Sequence, residues 1–210
     1  MAKLNELFAF SGTIGDLVGC KGRFGFYVRS RPRKSSKPPS VNQLAAREKM
    51  KQVMHFLEPL RPTIHRGFAL PRGQDSKVAA MNRAVSYVYH HALEGEYPNF
   101  VINPATVRIA QGSLAGLEIT GMEIVDNELR LYWEPRINRK DAFGDDVVYL
   151  VAYNTTEHVA PIGMASREAG IASLDVADER AGSQLLVYVC VGERDNRRFS
   201  NSQFLGTLIR

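Results

Sequence analysis

The hydrophobic pattern of this chain changes near Pro98, and that change constrains the fold more than any other feature of the sequence. Before Pro98, apolar residues recur every three or four positions, which is the spacing of a helix that buries one face. After it, short stretches rich in Val, Leu, Ile and Tyr alternate with turn-forming stretches, a pattern typical of β-strands. The sequence therefore predicts an α+β chain whose helices precede its main sheets.

Two helices are predicted in the first half of the chain. The first begins at Val41, because Ser40 and Gln43 have the spacing of a capping box. Its buried face is expected to comprise Met50, Val53, Met54, Leu57, Leu60, Ile64 and Phe68. Pro59 and Pro62 should kink or break this helix, because proline removes a backbone donor and crowds the preceding turn.

The second helix is predicted from about Ser76 to Leu93. Gly95 and Pro98 should end it, since glycine destabilises a helix and proline cannot continue one. The residues expected to point inward are Val78, Met81, Val85, Val88 and Tyr89.

Short strands follow the second helix. The predicted strands are residues 106–110, 117–120, 128–133, 147–153, 172–176, 185–191 and 203–208. In the third of them, Leu129, Leu131 and Trp133 alternate with charged or polar residues and are expected to point inward. Strands of this length and spacing predict an antiparallel β-sandwich, with a β-barrel as the structural alternative.

The first 40 residues are basic and regularly interrupted by glycine. Glycines at positions 12, 15, 19, 22 and 25 disfavour a helix, so a β-hairpin or extended arm is predicted, with Gly22-Arg23 as its two-residue turn. Residues 29–40 (RSRPRKSSKPPS) have the composition of a linker. We therefore predict a basic arm and linker at 1–39, a helical segment at 40–98 and a β-sandwich domain at 99–210.

Positive charge is concentrated at the front of the chain. The net charge of +5 is the sum of about +6 in residues 1–40, +3 in residues 41–100 and −4 in the remainder. Such a division favours an anionic partner or self-complementary assembly, with a solvated basic loop as the alternative. The residues predicted to bind a protein partner or nucleic acid are Lys21, Arg23, Phe24, Phe26, Tyr27, Arg29, Arg31, Arg33, Lys34 and Lys37.

Motifs for catalysis are not found in the sequence. The glycines of residues 12–22 lack the spacing of a P-loop, G-x-S-x-G is absent, and the five histidines are scattered. Asp141, Asp145 and Asp146 do not have EF-hand spacing; they are predicted to form a turn that keeps a strand end soluble, with weak calcium binding as the alternative. We therefore expect no enzyme activity, no catalytic residue, no metal ligand and no cofactor.

The cysteines and the absence of long apolar runs bear on location. Cys20 and Cys190 lie in different predicted parts of the chain and are interpreted as small apolar residues. No segment has the pattern of a signal peptide, and no run is as long as a transmembrane helix. We expect cytoplasmic synthesis and no membrane partner, with the virion as a further location if the protein assembles into one.

The C-terminal half resembles a fibronectin type III-like sandwich. Residues 129–135 (LRLYWEP), 147–153 (VVYLVAY) and 185–191 (LLVYVCV) carry the resemblance, and Trp133 and Tyr188 match the buried Trp and the late-strand Tyr of that fold. The resemblance implies a scaffold and does not by itself imply an activity.

The whole chain is similar to an uncharacterised family of about 210 residues found mainly in Bacteroidetes. The shared features are the glycine-rich residues 12–25, residues 29–32 (RSRP), the helix opening at 38–43 (PPSVNQ) and the C-terminal residues 200–202 (SNS). A shorter likeness, carried by Pro39, Gln43 and Arg47, is to a segment of phage virion- and tail-associated proteins. The family implies no activity; the shorter likeness favours a role in assembly.

Three functions are therefore open. The first is a structural or assembly protein, in which the basic arm mediates self-association or binds another component of an assembly. The second is a nucleic-acid-binding module that uses the same arm, because its arginines would contact phosphates and its aromatic rings would stack on bases. The third is a carbohydrate- or surface-binding sandwich, for which Phe143 and Phe199 are the candidate exposed aromatics.

Overall fold

A computed structural model of the chain describes residues 2–3, 10–22, 25–33, 36–69, 76–138 and 140–210. The chain divides into two compact units, Met1–Ser40 and Val41–Arg210. The second unit contains both the helices and the C-terminal sheets.

The N-terminal unit contains an antiparallel four-stranded sheet in the order β1-β4-β3-β2. Its strands are β1 (Ala2–Lys3), β2 (Gly12–Ile14), β3 (Leu17–Gly22) and β4 (Gly25–Ser30). The β2–β3 turn places Gly15 at φ +57°, a conformation that favours glycine. Gly22 pairs with Gly25 inside the ladder, so Gly22 belongs to β3 and not to the predicted turn at Gly22-Arg23. Arg23 itself lies outside the described residues.

The C-terminal unit begins with three helices, where two were predicted: α1 (Val41–Leu57), α2 (Arg61–Gly67) and α3 (Lys77–His91). The break between α1 and α2 coincides with Pro59, as expected for a residue that cannot donate a backbone hydrogen bond. Ser76 caps α3, because its hydroxyl accepts a hydrogen bond from the Ala79 amide at 3.1 Å.

Most of the predicted helical faces are buried. Val53, Leu57, Leu60, Ile64 and Phe68 are buried on the first two helices, as are Met81, Val85 and Val88 on α3. Met50 and Val78 are exposed, contrary to the prediction. Met50 lies in the middle of α1, ahead of its first buried residue, Val53. Val78 lies in the first turn of α3, before the first buried residue of that helix.

A short hairpin follows α3 and was not predicted. It consists of β5 (Leu93–Glu96) and β6 (Asn99–Ile102), paired in antiparallel register. The strand predicted at residues 106–110 is also wrong. That segment begins with a 3-10 turn at Pro104–Thr106 and continues as buried coil, in which the Ile109 amide donates to the Ser202 hydroxyl at 3.0 Å. A side chain therefore satisfies a backbone group that a neighbouring strand would otherwise satisfy.

Two antiparallel sheets form the sandwich. The three-stranded sheet has the order β11-β8-β7, and the four-stranded sheet has the order β10-β9-β12-β13. Their strands are β7 (Glu118–Val125), β8 (Glu128–Glu134), β9 (Val147–Asn154), β10 (Ile162–Ser166), β11 (Ile171–Asp175), β12 (Gln184–Gly192) and β13 (Gln203–Ile209). Strand β10 was not predicted. The predicted alternation in β8 is confirmed, because Leu129, Leu131 and Trp133 are buried between the sheets.

The four-stranded sheet is covered on both faces. In β12, Leu185, Val187 and Val189 pack against the three-stranded sheet, whereas Leu186 and Tyr188 pack against the helices. The C-terminal unit is thus layered as helices, four-stranded sheet and three-stranded sheet. A strand buried on both faces reads as a continuous apolar run, which accounts for the sequence LLVYVCV in β12.

A buried ion pair joins the loops at one end of the sandwich. The Arg167 Nε lies 3.2 Å from Asp146 Oδ2, and the two side chains are 2% and 1% exposed. Arg167 also donates to the carbonyls of Ala115 (2.6 Å) and Gly116 (3.2 Å). The Trp133 indole donates to the Arg167 carbonyl at 2.8 Å, so the pair is anchored to the centre of the core.

Among the described residues, no helix has the length and apolar character needed to cross a membrane.

Candidate functional site: the basic N-terminal sheet

The predicted binding residues are distributed over both faces of the N-terminal sheet. Successive residues of a strand point to opposite faces, and directly paired residues share a face. Lys21 is paired with Phe26, and its ammonium lies 5.6 Å from the ring centroid. Tyr27 and Arg29 occupy alternate positions of β4 and point to the other face. The two described aromatic residues therefore do not form one stacking platform.

Three of the predicted residues follow β4 rather than belonging to it. Arg31, Arg33 and Lys37 are exposed in the segment that leads to α1. The Arg31 amide donates to the Asp16 carbonyl at 2.7 Å, which places this basic segment beside the β2–β3 turn. The remaining predicted residues, Arg23, Phe24 and Lys34, lie outside the described residues.

An apolar pair at the β2–β3 turn was missed by the sequence interpretation. Ile14 and Leu17 are directly opposite each other and are 61% and 50% exposed. Arg31 is tied to the same turn, so a cationic residue borders the apolar pair. The available signal was the run Ile-Gly-Asp-Leu, in which two apolar residues flank a two-residue turn.

The sheet also has an open edge. Strand β2 pairs with β3 on one side, and no described strand pairs with its other side. All three residues of β2 are exposed. An edge strand with free backbone N–H and C=O groups can accept a strand from another chain.

The described part of the N-terminal sheet has a small core. Among the described residues of this unit, only Gly19 is buried. It is covered by Phe10, and a Cβ at position 19 would lie 2.7 Å from the Phe10 ring. A sheet that buries so little has a small hydrophobic contribution to its own stability, so further burial against a partner would stabilise it.

The carboxylates of the acidic loop at residues 141–146 do not converge on one site. Asp141 accepts a hydrogen bond from the Asn138 amide at 2.8 Å, and Asp145 lies 3.8 Å from an Arg194 nitrogen. Asp146 is buried with Arg167, which corrects the prediction that it belongs to a solvated turn. Within the described ranges, no group of three His, Cys, Asp or Glu side chains has the arrangement of a metal site.

The structure brings two histidines into contact and buries one of the two cysteines. His55 and His158 were missed as neighbours; their ring centroids are 3.8 Å apart, although the residues lie far apart in sequence. Burial raises the pKa of the Cys190 thiol to about 12, so this thiol is protonated at neutral pH. A protonated, buried thiol is a poor nucleophile.

The aromatic residues proposed for surface binding are not exposed as expected. Phe199 is buried, with 3% exposure, and stacks near Tyr149 at a centroid distance of 5.9 Å. Phe143 is half-buried. The premise of the carbohydrate-binding interpretation is therefore wrong for Phe199, because a buried ring cannot present its face to a sugar.

Comparison with known proteins gives one match. The model of DUF6266, described as a family of unknown function, matches residues 9–206. No curated protein and no solved structure matches the chain.

Proposed function

This chain belongs to the DUF6266 family of unknown function, and from its own residues we propose that it is a non-enzymatic structural protein. Its N-terminal sheet contacts a second subunit or another component of an assembly. The observation that carries the proposal is the exposed pair Ile14 and Leu17 beside the open edge of β2.

Burial of this pair supplies a driving force for association. Complete burial of an Ile or Leu side chain contributes about 1.5–3 kcal/mol, so covering the exposed half of each contributes roughly 2–3 kcal/mol in total. Each hydrogen bond that an added strand makes to β2 contributes about 1 kcal/mol more. These terms are sufficient for a hot spot at the centre of a modest interface.

The charges favour an acidic partner surface. Arg29, Arg31 and Arg33 are exposed. Arg29 is paired with Val18, the neighbour of Leu17, and the Arg31 amide donates to the Asp16 carbonyl in the β2–β3 turn. Arginine pairs well with carboxylates at an interface, because its planar guanidinium makes two parallel hydrogen bonds. Residues 101–210 carry a net charge of about −4, so a second copy of the chain offers a complementary surface.

The sandwich serves as the platform in this proposal. Its likeness to fibronectin type III domains is consistent with a scaffold that presents loops, and the short likeness to phage virion and tail proteins favours a particle as the setting. Both likenesses are weaker support for the proposal than the exposed pair Ile14 and Leu17, because one fold supports many functions.

The proposal is tested by measuring molar mass with size-exclusion chromatography and light scattering. The variant Ile14→Ser/Leu17→Ser should lose the oligomer that the unchanged chain forms, because it removes the apolar contact. Thr13→Ser is the matched control, since Thr13 is an exposed β2 residue on the opposite face of the sheet. A full-length chain that stays monomeric at every concentration and salt would refute the proposal.

Nucleic-acid binding by the same sheet is the second candidate. It is favoured by the contact of Lys21 with Phe26, which combines a phosphate-binding group with a ring that can stack on a base. Binding should weaken steeply with salt, because each neutralised phosphate releases counterions. Unchanged affinity in Arg29→Ala/Arg31→Ala/Arg33→Ala would exclude it.

A further inference from the structure

A cleft of about 550 Å³ lies in the C-terminal unit. It is bordered by the end of α2, one side of α3, the segment at residues 108–113 and the loop at residues 197–201. Its volume is within the range of sites that hold small molecules. It shares no residue with the N-terminal sheet.

Four arginines line this cleft. Arg83 comes from α3, Arg108 from the buried coil before β7, and Arg197 and Arg198 from the loop between β12 and β13. None of the described residues that line the cleft is acidic. The described lining is therefore cationic, although the unit as a whole is close to neutral.

Three of the arginines are held in position by contacts with other residues of the unit. Arg83 Nε donates to the Phe68 carbonyl at 3.0 Å, and the Arg108 guanidinium carbon lies 4.8 Å from the Tyr87 ring centroid. Arg198 makes two hydrogen bonds to Glu193, at 2.7 and 3.2 Å. Such contacts restrict the side chains before a ligand arrives, so less entropy is lost on binding.

The Arg108 guanidinium has N–H donors that are not used by the described residues. Within the part of the chain that the structure describes, no hydrogen bond or ion pair uses its N–H groups, and its guanidinium lies against the Tyr87 ring. Arg197 and Arg198 each have one carboxylate partner, Asp195 and Glu193 respectively. A five-donor guanidinium that faces a cleft without a carboxylate partner is suited to an external anion.

The backbone around the cleft is tightly joined. A Cβ at Gly112 would lie 2.1 Å from the Phe199 carbonyl oxygen, so the two segments approach as closely as glycine allows. The Leu114 amide donates to that same oxygen at 3.0 Å, and the Ser202 amide donates to the Ala110 carbonyl at 3.0 Å. The arginines of residues 108–113 and 197–201 are therefore carried by two segments whose backbones are hydrogen-bonded together.

We propose that this cleft binds a small organic phosphate through its phosphate group. Phosphate oxygens can accept from several guanidinium forks at once, and Arg108 and Arg197 approach from different segments. Neutral donors from Gln111, Ser113 and Asn201 complete the lining. A monocarboxylate would engage fewer of these groups, so phosphate is the better match.

The test is isothermal titration calorimetry on the full chain with inorganic pyrophosphate and, separately, adenosine diphosphate. Saturable binding of either probe is expected, with affinity that decreases as salt rises. Arg108→Gln should weaken binding about tenfold or more, since it removes a charge-assisted contact. Arg136→Gln is the matched control and should retain the affinity of the unchanged chain, because this exposed arginine pairs with Glu118 and Glu134 and does not line the cleft.

Arg197→Gln provides a second variant in which folding is not at risk, because its side chain is 76% exposed. It should also weaken binding, whereas both cleft variants should keep the molar mass of the unchanged chain. The proposal is overturned if neither probe binds at millimolar concentration, if both cleft variants bind as tightly as the unchanged chain, or if Arg136→Gln loses as much affinity as Arg108→Gln. None of these results depends on the assembly role, which molar mass tests separately.

Discussion

Replacing Arg167 by methionine should lower the stability of the sandwich more than a surface substitution does. The change leaves the Asp146 carboxylate buried without its cationic partner and removes the donors to the Ala115 and Gly116 carbonyls. Breaking a buried ion pair from one side costs about 3–5 kcal/mol, and each lost hydrogen bond costs about 1 kcal/mol more. We therefore expect Arg167→Met to lower the free energy of unfolding by about 5–7 kcal/mol, which approaches the whole stability of a marginal domain.

Urea denaturation followed by tryptophan fluorescence measures this loss directly. Trp133 is the only tryptophan in the chain, and its indole donates to the Arg167 carbonyl at 2.8 Å. Arg130→Met is the control, because the Arg130–Glu128 pair is at the surface and such pairs contribute about 1 kcal/mol or less.

A double-mutant cycle separates the ion pair from its surroundings. Asp146→Asn and Arg167→Met should together destabilise the fold by at least about 2 kcal/mol less than the sum of their single effects, because the second change removes the charge left unpaired by the first. Additive effects, or a loss below about 1 kcal/mol for Arg167→Met alone, would refute the reasoning.

Three further predictions concern stability. Burial raises the pKa of Cys190 and of Tyr153 to about 12 each, so their neutral forms stabilise the fold below the pKa of the unfolded chain and that stability is lost as pH rises from about 9 to about 12. Urea midpoints should fall across this range, by an amount equivalent to up to about 4 kcal/mol for Cys190, and Cys190→Ala should flatten the dependence; an identical slope in the variant would contradict this. Gly112→Ala should cost about 1–3 kcal/mol, because the added Cβ meets the Phe199 carbonyl, and a thermal melt equal to that of the unchanged chain would be the contrary result. Deletion of residues 1–39 should leave the Trp133-monitored unfolding transition within about 0.5 kcal/mol of the full chain, since the C-terminal unit has its own core; loss of the cooperative transition would count against an independent unit.

Some features could be predicted from the sequence because their cause is local. The break after Leu57 follows from Pro59, whose missing N–H and ring end a helix in almost any context. The burial of Leu129, Leu131 and Trp133 follows from an alternation that matches the period of a strand. The helix that starts after Ser76 follows from a hydroxyl that can accept from a free backbone amide.

Other features depend on partners that are remote in the sequence. Residues 106–110 have strand composition, yet they form no strand, because the Ser202 hydroxyl takes the place of a ladder partner at Ile109. Leu186 and Tyr188 face the helices instead of the second sheet. The sequence does not show which face each residue takes, because residues 185–192 are all apolar or small. In these cases the same amino-acid composition is compatible with either structure, and tertiary contacts decide which structure forms.

The sites divide in the same way. By itself the sequence determined that the first 40 residues are cationic and glycine-rich, since charge and backbone freedom belong to each residue separately. Only the tertiary structure paired Asp146 with Arg167 and brought Arg83, Arg108 and Arg197 to one cleft. The physical reason is that a hydrogen bond or a cavity depends on distances across the fold, and residues a hundred positions apart leave no periodic trace of their proximity.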